Sequence, residues 1–181
     1  MSDVEIKRAD RGPADDGAAA GLTERAVEEV VSRFLYAYGT RDVDAVVGLF
    51  AEDGDWRLGP GTFTGKEDVR RVMDWDVRLS PTVKCRDVGI GTVVKENVGL
   101  SERVVEQTAE GIPFTYLILT VFELNDDGKI QHARSYYDKP AIMHQVASKY
   151  PGIKGWFFRK TVNMVVAQGE RGLERSSTTG G

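Results

Sequence analysis

The chain has 181 residues, 41% of them hydrophobic and 29% charged, with a net charge of −4. That length suits one domain with a real core and does not require two, and an acidic balance without any basic run argues against nucleic acid or an anionic membrane surface as partner. The one cysteine, Cys85, excludes an internal disulfide and suits a cytoplasmic location, and no apolar stretch has the length of a signal peptide or an integral membrane segment.

Residues 1–21 read as a disordered tail. Val4 and Ile6 are its large apolar residues, too few to offset the entropy of ordering it. Thr23 is a candidate N-cap for a first helix, with Leu22 and Val27 placed as a hydrophobic staple. Val27, Val30, Val31, Phe34, Leu35 and Tyr38 then follow at helical spacing, and Gly39 is the expected stop. A short helix is expected over 43–50, then a breaker at Asp53-Gly54, a strand over 55–58 and a tight turn at Gly59-Pro60-Gly61. Gly65 precedes a third helix whose apolar stripe is Val69, Val72, Met73 and Val77.

After Pro81 the hydrophobic period changes to two. Strands are expected over 83–94, 99–107, 114–124 and 130–137. Gly111-Ile112-Pro113 marks one turn, and Asn125-Asp126-Asp127-Gly128 is a strong hairpin signal. A helix from Pro140 to Ala147 and an amphipathic helix over 155–168 complete the domain, placed at 22–168, with 169–181 as a flexible tail. Helices first and a run of strands afterwards is an α+β layout. We expect a cone: a curved antiparallel sheet wrapped around the N-terminal helices, an extra C-terminal helix, and a ligand pocket on the concave face.

The segments "DVDAVVGLFAEDGDW", "GKEDVRRVM", "ERVVEQ" and "LILTVFELNDDGKIQHARSYYD", in that order, resemble the nuclear-transport-factor-2-like (cystatin-like) superfamily over roughly residues 28–145. The likeness is to its SnoaL-like polyketide-cyclase and limonene-epoxide-hydrolase branch. That superfamily hosts hydrolases, isomerases, dehydratases, cyclases and adaptors, so the fold does not choose a function. The resemblance to the epoxide hydrolases implies an acid–arginine–acid triad on two neighbouring strands. Carried over residue by residue, Arg103 is kept, Val105 replaces one acid and Ser135 replaces the other. Trp56 and Leu58 stand where the water-positioning tyrosine and asparagine would be. Valine can neither give nor take a proton, which argues against epoxide hydrolysis unless a shifted register brings Glu102 or Glu106 inward.

Strand alternation in that register gives the expected lining. Arg103, Val105 and Gln107 share one face, Tyr116 and Ile118 with Thr120 another, and Ser135 and Tyr137 with Ala133 a third. Trp56, Leu58, Leu35 and Tyr38 join them. An aromatic cavity with one arginine suits a lipophilic terpenoid, steroid or polyketide-like ring compound bearing an oxygen. Arg103 either binds that oxygen or is a structural arginine paired with an acid, for which Asp74 and Asp76 are candidates. Those two aspartates, placed just after the third helix, are also candidate bases, and Tyr38, Tyr116 and Tyr137 candidate donors.

His132 and His144 stand apart, no residue cluster has metal-ligand spacing, and no cofactor or metal is expected. Cys85 reads as a small buried hydrophobe, and "GPGTFTG" lacks the spacing of a phosphate loop. Trp156, Phe157, Phe158, Val162, Met164, Val165 and Val166 make a C-terminal segment able to lid the cone, pack a homodimer or touch a membrane surface. Three functions remain open: cofactor-independent isomerisation, cyclisation or dehydration by Arg103, Tyr38 and Asp74 or Asp76; non-catalytic or dimeric accessory binding in the same pocket; and an assembly module whose cone is filled by its own aromatics.

Overall fold

The computed structural model describes residues 22–109 and 111–170. The tails expected over 1–21 and 169–181 lie outside them, except that the last helix runs on through residue 170. Helix α1 (Glu24–Thr40) starts where Thr23 Oγ1 accepts the Ala26 N–H at 3.3 Å. It buries Val27, Val31, Phe34 and Ala37, a stripe at helical spacing. The helix passes Gly39 and stops at Arg41, whose φ of 62° sends its N–H back to the Ala37 and Tyr38 carbonyls. A non-glycine residue in that left-handed region costs about 1 kcal/mol. Here the Arg41 side chain compensates, because it is bonded to Ser80 O and to Asp76.

Helix α2 (Val43–Leu49) is capped by Asp42, which accepts the Ala45 N–H at 2.9 Å. Phe50, expected as its last residue, instead opens strand β1 (Phe50–Leu58). Asp53-Gly54 does not break that strand. It lies in a bulge, with residues 51–54 standing against Gln131 alone, and a Cβ on Gly54 would sit 2.6 Å from the Ile130 carbonyl. Strand β2 (Gly61–Thr64), which the sequence reading did not separate from the turn, folds back on β1. Helix α3 (Gly65–Leu79) extends through Asp74 and Asp76, so both belong to the helix and not to the segment after it.

Strands β3 (Val83–Lys95), β4 (Val98–Ala109), β5 (Ile112–Leu124) and β6 (Ile130–Tyr137) follow the expected alternation. Ile112 and Pro113 already belong to β5. The β5–β6 hairpin closes as read: Gly128 takes a φ of 69° and its N–H donates to the Asn125 carbonyl at 2.9 Å. The sheet order is β2-β1-β6-β5-β4-β3. All neighbours are antiparallel except β1 and β6, which run parallel, so the sheet is mixed where an antiparallel one was expected. Several intervening elements connect those two strands, which removes the tight-turn constraint that forces antiparallel pairing.

Helix α4 (Lys139–Lys149) begins at Asp138, whose Oδ1 accepts the Ala141 N–H at 3.0 Å with Pro140 in the first turn. It is clamped to β5 beyond the end of β6. The Gln145 amide donates to Thr115 O at 2.7 Å and accepts from Thr115 N at 3.0 Å. Helix α5 (Gly152–Glu170) packs on α4. A Cβ on Gly155 would meet the Tyr150 carbonyl at 2.1 Å, and Arg159 Nη1 caps that same carbonyl at 2.8 Å. The amphipathic pattern expected of α5 is not realised. Among its described side chains Val162 is buried, while Ile153, Trp156, Phe157 and Met164 face solvent.

The core lies between α1 and the concave face of the sheet. Phe34 meets Trp56 edge-on at 5.4 Å and Phe122 at 4.9 Å between ring centroids. The helix packs tightly on the sheet at Gly99 of β4, where a Cβ would stand 2.6 Å from Val31 Cγ2. Val31 is β-branched, fully buried and unable to swing away. Gly99→Ala should therefore lower the unfolding free energy by about 1–3 kcal/mol, read from urea denaturation as a lower midpoint at unchanged slope.

Candidate functional site

Between the C-terminal half of α1, α3 and the concave sheet lies a cavity of about 300 Å³, at the lower end of the range for small-molecule sites. Period-two alternation puts its walls in place. From β4 come Arg103, Val105 and Gln107; from β5, Tyr116 and Ile118 with Phe114 and Thr120; from β6, Ser135 and Tyr137; from β1, Trp56 and Leu58; from α1, Leu35 and Tyr38. Asp74 and Asp76 are not on the wall, and no Asp or Glu is among the lining residues. The cone is not filled by Trp56, Tyr116 and Tyr137, which border the space instead of occupying it.

The two positions where the epoxide-hydrolase acids would stand carry Val105 and Ser135, on strands separated by β5 and not neighbouring. Ser135 Oγ accepts the Trp56 indole N–H at 3.1 Å and shares a hydrogen bond of 3.1 Å with Thr120 Oγ1. No register shift brings an acid inward. Glu106 is exposed, and Glu102 lies on the other face, accepting the Ile90 N–H at 3.2 Å.

Arg103 pairs with neither Asp74 nor Asp76. Its Nη2 meets Asp87 of β3 at 2.7 Å, directly across the ladder, and its Nε donates to Ser101 Oγ at 3.0 Å. The arginine side chain is 17% exposed and its aspartate 62%. The charge is thus balanced from the rim, while Nη1 has no hydrogen-bond partner among the described residues. Beside it Cys85 lines the cavity, its thiol pushed up by burial against the opposing pull of Arg103, so it stays protonated at neutral pH.

A continuous polar row crosses the apolar wall. Tyr116 Oη donates to Gln107 Oε1 at 3.1 Å, Gln107 Nε2 to Tyr38 Oη at 3.1 Å, and Tyr38 Oη to Asp76 Oδ2 at 3.0 Å. Asp76 in turn is gripped by Arg41 Nη1 at 2.7 Å. Asp76 therefore stands one hydrogen bond behind the cavity and not in it. Burial, and then the Asp76 charge, raise the hydroxyls of Tyr38 and Tyr116 well above the ordinary tyrosine range, and burial raises Tyr137 as well. Tyr137 sits against Gly59, where a Cβ would stand 1.8 Å from the phenol oxygen.

Arg41, the residue that fixes Asp76, was not anticipated. The only local signal was its place just after Gly39, which reads as a helix stop. Ile142 and Met143 of α4 were also missed; they line the cavity along with Trp75 and Leu79 of α3. Among the described residues helix α4, and not the aromatic α5, contributes to the lining. His132 is turned outward and bonds Asp55 at 2.7 Å. Among the described residues no group of three or more His, Cys, Asp or Glu could hold a metal, and no helix is long and apolar enough to cross a membrane.

Residues 31–133, more than half the chain, match the family model described as a SnoaL-like domain. No curated protein matches the chain. Among solved structures, one similar chain is a hypothetical protein with a ketosteroid isomerase-like fold from Catenulispora acidiphila, in complex with trimethylamine. It shares 20% identity at a TM-score of 0.59, covering 68% of this chain and 98% of its own. Another is an epoxide hydrolase from M. tuberculosis described as LEH-like, 18% identical at a TM-score of 0.58, covering 80% of this chain and 98% of its own. At such identities the likeness is one of fold.

The raised tyrosines carry a sign that can be measured. Each folded-state hydroxyl holds its proton to higher pH than the unfolded one, which titrates near ~10. Their contribution to stability is present in full below that pH and is lost as pH climbs toward the folded-state values. Melting temperature should fall between about pH 10 and 12, and Tyr38→Phe should make that fall shallower than in the parent protein.

Proposed function

We propose, from the premise that this chain belongs to the SnoaL-like domain family, that it takes one lipophilic ring compound into the cone and moves a proton on it without a cofactor. The observation that carries this reading is the conjunction of an open, largely apolar cavity with Arg103 at one point of its wall and the Tyr38–Asp76 hydrogen bond at another. A terpenoid, steroid or polyketide-like ketone fits the chemistry. Its carbonyl oxygen would accept from the free edge of the Arg103 guanidinium.

The proton step balances without an outside reagent. A C–H proton next to the carbonyl passes to the Tyr38 oxygen as the Tyr38 proton passes to Asp76. The C–H electron pair becomes the C=C bond of an enolate, and the carbonyl π pair moves to the oxygen held by Arg103. Tyr38 is neutral before and after, which its strong resistance to ionisation favours. Return of the proton at another carbon completes an isomerisation; ring closure or loss of a leaving group from the same enolate gives cyclisation or dehydration. Epoxide hydrolysis is disfavoured, because Val105 and Ser135 hold the positions its two acids would need.

A second reading, binding without turnover, has its own support in the absence of Asp or Glu from the lining residues. A homodimer belongs to the proposal as well. The exposed apolar side chains Ile153, Trp156 and Phe157 of α5 support it, and a cytoplasmic setting is compatible with the lone thiol.

Two measurements test this. A panel of steroid, terpenoid and polyketide-like ketones should include members that raise the melting temperature by mass action. Those members should exchange hydrogen at the carbon beside the carbonyl in deuterated water, and Arg103→Met and Asp76→Asn should each slow exchange by about 10²–10³-fold with folding intact. Stabilisation without exchange selects the binding reading, and no stabilisation by any member rejects both. For the dimer, sedimentation equilibrium should return twice the chain mass, and Trp156→Lys should shift it to the monomer; a parent protein that sediments as a monomer removes the dimer from the proposal.

A further inference from the structure

The polar row on the cavity wall has a direction, and that direction restricts the ligand. Arg41 pairs with Asp76 at 2.7 Å, and a carboxylate can only accept hydrogen bonds. The Tyr38 hydroxyl, 3.0 Å from Asp76, must therefore donate to it. A hydroxyl has one proton, so toward Gln107 the Tyr38 oxygen can only accept. That fixes the Gln107 amide with Nε2 toward Tyr38, at 3.1 Å, and Oε1 toward Tyr116. An amide oxygen only accepts, so Tyr116 must donate to it, at 3.1 Å. The orientation of the amide, ordinarily ambiguous, is here dictated from one end by an ion pair. Neither tyrosine escapes the constraint by ionising, since burial keeps both protonated at neutral pH.

We infer that the Tyr38 and Tyr116 hydroxyls present only lone pairs to the ligand, so this stretch of the wall selects a compound carrying a hydroxyl or N–H donor and Arg41, through Asp76, sets that preference. This rests on the cavity being a ligand site and narrows the substrate class proposed above. The ligand is a lipophilic ring compound with two unlike polar points. One is an oxygen that accepts from Arg103, and the other is a hydroxyl that donates to Tyr116 or Tyr38. Arg103 and Tyr116 stand two residues apart along paired strands, since Val105 is the register partner of Tyr116 and Arg103 that of Ile118. A bare diketone would meet the Tyr38 and Tyr116 oxygens lone pair to lone pair. Arg41 does not line the cavity and acts as a positioning residue.

The polarity can be inverted by one substitution. In Asp76→Asn the side-chain oxygen keeps Arg41 and the new N–H donates to Tyr38. Tyr38 then donates to a turned Gln107, whose N–H donates to Tyr116, and the Tyr116 proton is released into the cavity. The probes are 2-naphthol and its methyl ether, 2-methoxynaphthalene, titrated by calorimetry into the full chain at neutral pH. They differ in the donor and in one methyl, and the steric effect of that methyl is common to every variant. The parent protein should bind the naphthol about tenfold more tightly, one well-made hydrogen bond in a desolvated site. In Asp76→Asn the ratio should fall to about one or below. Should circular dichroism show that variant unfolded, Gln107→Leu decides, because it also frees the Tyr116 proton and should collapse the ratio. Equal binding of both probes by the parent protein, or an undiminished ratio in a folded variant, overturns the inference while leaving the pocket standing. Failure of both probes to bind saturably overturns the ligand-site reading itself, and this inference with it.

Discussion

Helix α1 fills only part of the curve of the sheet, and the space it leaves is the cavity. At mid-helix Val31 rests on Gly99 with no room for a methyl group between them. Phe34, one turn on, meets Trp56 and Phe122 edge-on and closes the narrow part of the cone. Beyond Phe34 the helix no longer fills the space. Leu35 and Tyr38 border a void, and Arg41 ties the helix end sideways to α3 through Asp76 and Ser80. A core that filled the whole cone would gain van der Waals contact, at the expense of any room for a guest.

Two hydrogen-bonded groups hold most of the polar side chains inside this apolar space. A hydroxyl or amide buried without a partner costs on the order of 1–3 kcal/mol, so each must be bonded. The Trp56–Ser135–Thr120 cluster and the Tyr116–Gln107–Tyr38–Asp76–Arg41 row both meet that requirement. No buried side-chain nitrogen or oxygen among the described residues is left without a partner. Balancing Arg103 from the rim through a largely exposed aspartate has a further effect. The guanidinium keeps its charge at the cavity wall without a second buried charge beside it.

Much of this arrangement was legible in the residue pattern, and the exceptions have physical causes. Period-two alternation from Val83 onward gave the inward face of three strands, because a pleated strand allows only two faces. Asn125 to Gly128 gave the hairpin, because Gly128 supplies the positive φ that the turn demands. The partner of Arg103 was missed because it depends on which residue of β3 stands opposite. That register cannot be extrapolated along β3, since four residues, 88–91, stand against Glu102 alone. The same four-against-one geometry in β1 made Asp53-Gly54 look like a chain break. Helix α3 was ended too early because Asp74 and Asp76 resemble a polar terminus. In fact Asp76 is paired by Arg41 from another element, and no local sequence window contains that pair. The side-to-side placement of β1 on β6 is likewise a long-range choice without a local signature.

The irregular β3 has a consequence for how copies of this chain meet in concentrated solution. It forms one border of the sheet, and β2, only four residues long, forms the other. A straight border strand is a template on which another polypeptide can zip, amide to carbonyl, into a growing ribbon. Here the ladder of β3 is split at Gly89 and Gly91, where the backbone takes positive φ and turns out of line. Neither border offers a long unbroken run, so backbone shape by itself disfavours edge-to-edge pairing of copies.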